Sequence, residues 1–205
     1  NSSIKCRYFV VKAYLCYTIP YMRTFVAIDP PRPVLDSLEE CIGMLARADR
    51  RLNVRWVPRE NLHLTLFFIG EVPESSLPDL LRSLNEAVTG VVRFYLELQH
   101  FVFFPDRVRP RTIGVSLHDQ SGTLRELVTR VEKALRALRT NVRREKKFTP
   151  HITIGRTRVP HVIATEVANP PNGAFEVAEI ILKESALSPV GPRYTKLKSF
   201  PLAHG

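Results

Sequence analysis

The chain carries two copies of one short pattern, and both copies hold groups that move protons. The first is His63-Leu64-Thr65-Leu66 and the second is His151-Ile152-Thr153-Ile154. An imidazole titrates near neutrality, at about 6.5 in a model peptide, so one ring can be charged while another is neutral at the same pH. One ring then takes a proton from a nucleophile while the other gives one to a leaving group. A threonine hydroxyl beside each ring can donate to an anionic oxygen, such as that of a phosphate. Such a site needs no metal and no cofactor. A single His-x-Thr-x is a weak signal, because a histidine on a strand is usually a satisfied or surface residue. Two copies in one chain carry more weight. The flanks repeat as well: Asn61 and Pro150 lie just ahead of the two histidines, and Gly70 and Gly155 close the two runs.

The elements that position these residues are legible in the periodicity. Leu62 to Ile69 and Thr149 to Gly155 alternate and are rich in β-branched and aromatic residues, so both read as strands. On a strand, residues i and i+2 share a face. Each His therefore stands beside its own Thr, and Leu64, Leu66, Ile152 and Ile154 turn the other way, toward a core. Arg23 to Asp29 reads as a strand ended by Pro30-Pro31. Apolar residues at helical spacing predict a helix over roughly Pro33 to Asp49, a second over about Pro78 to Gly90, and a third, the clearest, over Ser121 to Leu138. Arg93 to Phe104, Arg111 to Leu117, Phe175 to Ser185 and Arg193 to Phe200 read as further strands, and Pro160 to Gly173 as a Pro-rich connection. Each half is strand, helix, strand. The fold class is α+β with an internal duplication.

Composition sets the partners. The 205 residues carry a net charge of +10, with arginine prominent among the cations. A balance this basic favours polyanions. Three cysteines, Cys6, Cys16 and Cys41, form no zinc-type spacing, and their odd, sparse count points to a reducing compartment without a disulfide framework. No apolar run is long enough to span a membrane. Residues 1–21 hold four tyrosines and differ in character from the rest of the chain; they read as an extension.

Four stretches together carry a resemblance: Arg23 to Asp29; Trp56 to Val72; Phe148 to Arg156; and Glu184 to Tyr194. The set resembles the 2H phosphoesterase superfamily, and within it the RNA 2′,3′-cyclic phosphodiesterase family, also called 2′-5′ RNA ligase or LigT-like. The resemblance covers Met22 to about Leu202. It implies one bilobal domain over residues 22–205, built of two pseudo-symmetric lobes of antiparallel sheet backed by helices, with the active cleft between them. It implies His63 as general acid to the ribose O3′ and His151 as general base for water, with a 2′-phosphate as product. Thr65 and Thr153 would hold the phosphate oxygens, and Arg156 would contact the nucleotide. No metal and no cofactor would take part. The implied partner is RNA with 2′,3′-cyclic phosphate ends, tRNA fragments among them, and the implied protein is a cytoplasmic monomer.

Some residues are less pointed. Phe25 lies near the cleft in the family, yet a strand Phe is more often core. Arg143, Arg144, Lys146 and Lys147 could steer RNA, though a charge run is usually a solvated face. His100, His118, His161 and His204 lack a Thr two residues on and read as surface residues. The family often has a Trp near Arg111 to Val115, and this chain has none there, so an aromatic wall from that strand is in doubt. Two further readings stay open: 2′-5′ ligation, the reverse chemistry at the same site, and an RNA-binding module without turnover.

Overall fold

The computed structural model describes residues 21–48, 54–138, 148–159, 162, 166, 168–189 and 191–205. The described chain runs β1 (Tyr21–Ile28), α1 (Arg32–Ala48), β2 (Val54–Trp56), β3 (Leu64–Pro73), α2 (Leu77–Val88), β4 (Phe94–Phe104), β5 (Thr112–His118), α3 (Thr123–Ala137), β6 (His151–Thr157), β7 (Gly173–Val177), β8 (Glu179–Ser188) and β9 (Gly191–Pro201). The α+β class stands. The strands join into one curled antiparallel sheet, in the order β7-β4-β5-β6-β3-β1-β8-β9, with β2 on the far end of β6.

The duplication is visible in this order. β1, α1 and β3 make one unit, and β5, α3 and β6 repeat it. The two histidine strands, β3 and β6, meet at the centre of the sheet through one register pair, Leu64 opposite Ile152. The outer strands come from elsewhere in the chain. β8 and β9 extend the first lobe beyond β1, and β4 and β7 extend the second beyond β5.

Helical spacing explains the backing layer. α1 buries Val34, Leu38, Cys41 and Leu45; α2 buries Leu80, Leu84, Ala87 and Val88; α3 buries Leu124, Leu127, Val131 and Leu135. Each set recurs every three or four residues and so forms one stripe. The stripes close on the sheet face that carries Leu64, Leu66, Ile152 and Ile154, all in the same core. Fully burying one such side chain is worth roughly 1.5–3 kcal/mol. That energy fixes which face of β3 and β6 is left for the polar residues.

Three elements differ from the expectation. His63 precedes β3, whereas His151 opens β6. The run from Phe175 to Ser185 is two strands, broken at Ala178, because the chain crosses there from one end of the sheet to the other. β2 is a three-residue strand within the lead-in to the first histidine. The basic run from Arg143 to Lys147 and His161 lie outside the described residues.

Candidate active site

The first histidine is fixed from both ring nitrogens. A 3₁₀ turn over Arg59–Asn61 brings the chain to His63. The turn is anchored to α1 by ion pairs from Arg59 to Asp36, at 2.7 Å, and to Glu39. His63 Nδ1 lies 2.8 Å from the Asn61 carbonyl, which can only accept, so Nδ1 carries the proton. His63 Nε2 lies 2.9 Å from Thr65 Oγ1. The Asn61 side chain also donates to the Pro192 carbonyl at 2.9 Å, tying this turn to β9.

The second histidine repeats the arrangement. His151 Nδ1 donates to the Thr149 carbonyl at 2.7 Å, again two residues back. The segment ahead of it is pinned by Leu117 N–H donating to the Pro150 carbonyl. In both half-sites Nδ1 is tied to a backbone carbonyl two residues back, and in the first Nε2 meets the Thr65 hydroxyl.

Small residues make room for the rings. Gly114 of β5 stands opposite Thr153. A methyl group built on it would fall 3.0 Å from His151 Cδ2 and 3.1 Å from the Ile152 carbonyl oxygen. Ala27 of β1 stands opposite Thr65 in the other half.

One cavity of about 1250 Å³ takes in His63, Thr65, His151, Thr153 and Arg156. All five residues expected from the sequence thus share one space. Arg156 reaches Thr112 through an Nη1 to Oγ1 hydrogen bond of 3.1 Å. His100, His118 and His204 are exposed.

Aromatic rings build the wall around His63. Phe25 lies 5.0 Å from the His63 ring, and Tyr194 meets both edge-on, at 4.9 Å from Phe25 and 5.2 Å from His63. Phe25 is 2 % exposed, so it is floor to the histidine rather than a free stacking surface. Phe68 is different. A bulge at Leu66 shifts the alternation of β3 and brings Phe68 opposite Phe25, on the cleft face. Phe68 remains 54 % exposed and lines the cavity. Across the cleft, the Phe104 ring lies 4.7 Å from His151. The doubt about an aromatic wall from β5 is met by Phe104 of β4.

Burial sets the proton affinity of His63. Desolvation pushes it down to about 4, reinforced by the charges of Lys183 and Arg156 and opposed by the Asn61 hydrogen bond and by Asp29. His63 is therefore neutral at pH 7, and its Nε2 accepts from the Thr65 hydroxyl. Lys183 of β8 stands opposite Phe25 and pairs with Asp29 at 2.6 Å, its side chain 7 % exposed.

Sequence reasoning missed Phe68, Lys183 and Asn61. Phe68 carried a readable signal, since it lies as far beyond His63 as Arg156 does beyond His151. Lys183 acts through its pairing with Asp29, and the Asn61 side chain through its bond to Pro192, neither of which a local pattern reveals. Among the described residues, no group of three or more His, Cys, Asp or Glu is placed to hold a metal ion.

A family model for LigT-like phosphoesterases matches residues 28–114. A protein of Thermotoga maritima named RNA 2′,3′-cyclic phosphodiesterase is 33 % identical over 187 residues, covering 86 % of this chain and 93 % of that protein. The chain belongs to the LigT-like phosphoesterase family. An Archaeoglobus fulgidus protein with the same name is 32 % identical over 183 residues, covering 87 % of this chain and 99 % of that one. Solved structures agree in fold with this LigT-like chain. A crystal structure from Thermus thermophilus superposes with a TM-score of 0.76 at 31 % identity, covering 89 % of this chain and 99 % of that one. Escherichia coli LigT complexed with 3′-AMP gives 0.74 at 25 % identity, covering 90 % and 100 %.

Proposed function

We propose that the protein is an RNA 2′,3′-cyclic phosphodiesterase that opens the cyclic end to a 2′-phosphate, with His63 and His151 as its acid–base pair. The observation that carries this reading is that both His-x-Thr-x pairs line one cavity, each with its Nδ1 tied to a backbone carbonyl. The activity named for the relatives supports the substrate class.

The chemistry rests on the groups present. The cyclic phosphate sits between the rings, its non-bridging oxygens held by the Thr65 and Thr153 hydroxyls and by Arg156. One imidazole takes a proton from water as the water oxygen attacks phosphorus. The bond from phosphorus to O3′ breaks, and the other imidazole gives its proton to O3′. The products are a 3′-hydroxyl and a 2′-phosphate. The two rings then exchange protons with solvent to reset.

Resemblance to the family favours His63 as the acid. A neutral His63 is in the state of a base. To serve as acid it takes up a proton together with the substrate, because the phosphate charge favours imidazolium. The exposed Phe68 ring offers a stacking face for a base, as single-stranded RNA recognition uses.

The test is incubation with nucleoside 2′,3′-cyclic phosphates in EDTA, with identification of the product isomer. The expected product is the 2′-phosphate, formed by the wild type and not by His63→Ala or His151→Ala. A 3′-phosphate product, or activity that needs an added divalent ion, overturns the reading.

A further inference from the structure

Strand β2 is three residues long, yet it sets Arg55 directly opposite Arg156 in its antiparallel pair with β6. Both side chains line the cavity, as does Arg193 of β9. The guanidinium of Arg55 lies across Gly191: a methyl group built on that glycine would fall 2.0 Å from Nη2 and 3.0 Å from Cζ. Gly191 closes the β8–β9 hairpin, where its carbonyl accepts from the Ser188 hydroxyl at 2.6 Å. Arg55 is thereby laid against the hairpin that carries Arg193.

The cavity has room for more than one nucleotide unit. Its volume of about 1250 Å³ exceeds the roughly 300–1,000 Å³ usual for a pocket that takes one small ligand. Arg156 serves the end near the histidines, where its charge acts on both His63 and Tyr194. Arg55 lies one strand further out, about 4.8 Å along the hydrogen-bonding direction. Two carboxylates, Glu60 and Glu132, also line the cavity, and Glu132 is held by Arg136 at 2.8 Å. Guanidinium groups suit phosphate because they present a planar fork of donors.

We propose that Arg55 and Arg193 form a second anion subsite, which takes an internucleotide phosphate of an RNA strand whose cyclic end lies between His63 and His151. This rests on the proposed function and names its substrate class: an oligonucleotide is preferred over a single nucleotide. The subsite reads the RNA backbone and not the base, so the preference is for length and not for sequence.

The experiment compares cytidine 2′,3′-cyclic phosphate with a five-nucleotide RNA ending in a 2′,3′-cyclic phosphate, in wild type, Arg55→Gln and Arg193→Ala. Each variant should raise KM for the pentamer about tenfold or more, the worth of a charge-assisted hydrogen bond, and leave KM for the mononucleotide within about twofold. A second arm measures binding of a labelled pentamer ending in a 2′-phosphate against salt. Losing one phosphate contact should lower the slope of log Kd against log salt by about 1. Equal KM changes for both substrates, or for neither, overturn the subsite, as does an unchanged salt slope. Failure of the wild type to hydrolyse either substrate counts against the proposed function alone, because the salt slope still decides the subsite.

Discussion

Phe68 and Arg156 occupy the same position in the two half-sites. Each lies five residues beyond its histidine. Strict alternation would turn both away from the cleft. Instead the registers skip Leu66 in β3 and Ile154 in β6, and each bulge shifts the residues after it onto the cleft face. The duplication thus repeats down to its irregularities. What differs is chemistry: one half offers an apolar ring and the other a cation. A nucleotide is divided the same way, into base and phosphate.

Under the proposed mechanism, removing either His63 or His151 should abolish most of the same rate. General acid–base work is worth about 10²–10⁴-fold per group. Groups that act as a unit are strongly non-additive. The double His63→Ala, His151→Ala protein should therefore be little slower than the slower single variant. Steady-state kcat on a cyclic nucleotide measures this. Either single variant turning over near the wild-type rate would make the two motifs scaffold.

Phe68→Ala should weaken nucleotide binding. Stacking is worth about 1–3 kcal/mol per base, or roughly 5- to 150-fold. The loss should appear in KM more than in kcat, since stacking is shared by ground and transition states. An abasic cyclic ribose phosphate should be insensitive to the change. A kcat loss that persists with the abasic substrate would mean that Phe68 holds the sheet instead.

Gly114→Ala should displace His151. The added carbon meets the ring and the Ile152 carbonyl at about 3 Å, and only the ring can move. The ring must give by a few tenths of an ångström; since a misplacement near 1 Å can cost about 10²-fold in rate, the expected result is a severalfold fall in kcat with an unchanged circular dichroism spectrum. Wild-type kcat would show that the ring needs no such clearance.

The depressed proton affinity of His63 predicts two pH effects. The acid limb of kcat/KM should lie near pH 4, the value for the free protein. Lys183→Met should move that limb up, because it removes a charge that opposes imidazolium and leaves Asp29, which favours it. Stability should fall with acid. Between pH 6.5 and about 4, the unfolded chain binds a proton at this residue and the folded chain does not, so stability drops as pH falls. The full effect is about 3 kcal/mol, reached below pH 4. His63→Gln should flatten this part of the stability curve, as read by urea midpoints across pH. An unchanged slope would mean that His63 is not held neutral by the fold.

The helices and most strands were readable because each buries one face. Leu124, Leu127, Val131 and Leu135 announce α3 by spacing alone, and alternation announces β3 and β6. The paired motifs announced His63, His151, Thr65 and Thr153, and the family resemblance added Arg156; all five line the cavity. β2 escaped because three residues carry no period, and it exists only through pairing with β6. The break between β7 and β8 escaped because both halves are apolar and β-branched. Lys183 looks like an ordinary strand lysine; its burial depends on Asp29, far away in sequence. Local pattern reports which face is apolar. It does not report which strand will arrive next to it.

The order in which strands arrive bears on how the protein is made. β8 and β9 complete the lobe that β1 and β3 begin, and they come after every other described strand in chain order. They bring Lys183 and Tyr194 to His63, along with the Pro192 carbonyl that Asn61 grips. On the ribosome, His63 emerges long before its wall does. Until β8 is released, β1 is an open edge, and until β9 follows, His63 lacks part of the burial that lowers its proton affinity. A nascent chain surrounded by RNA therefore carries both His-x-Thr-x motifs without the environment that tunes one of them.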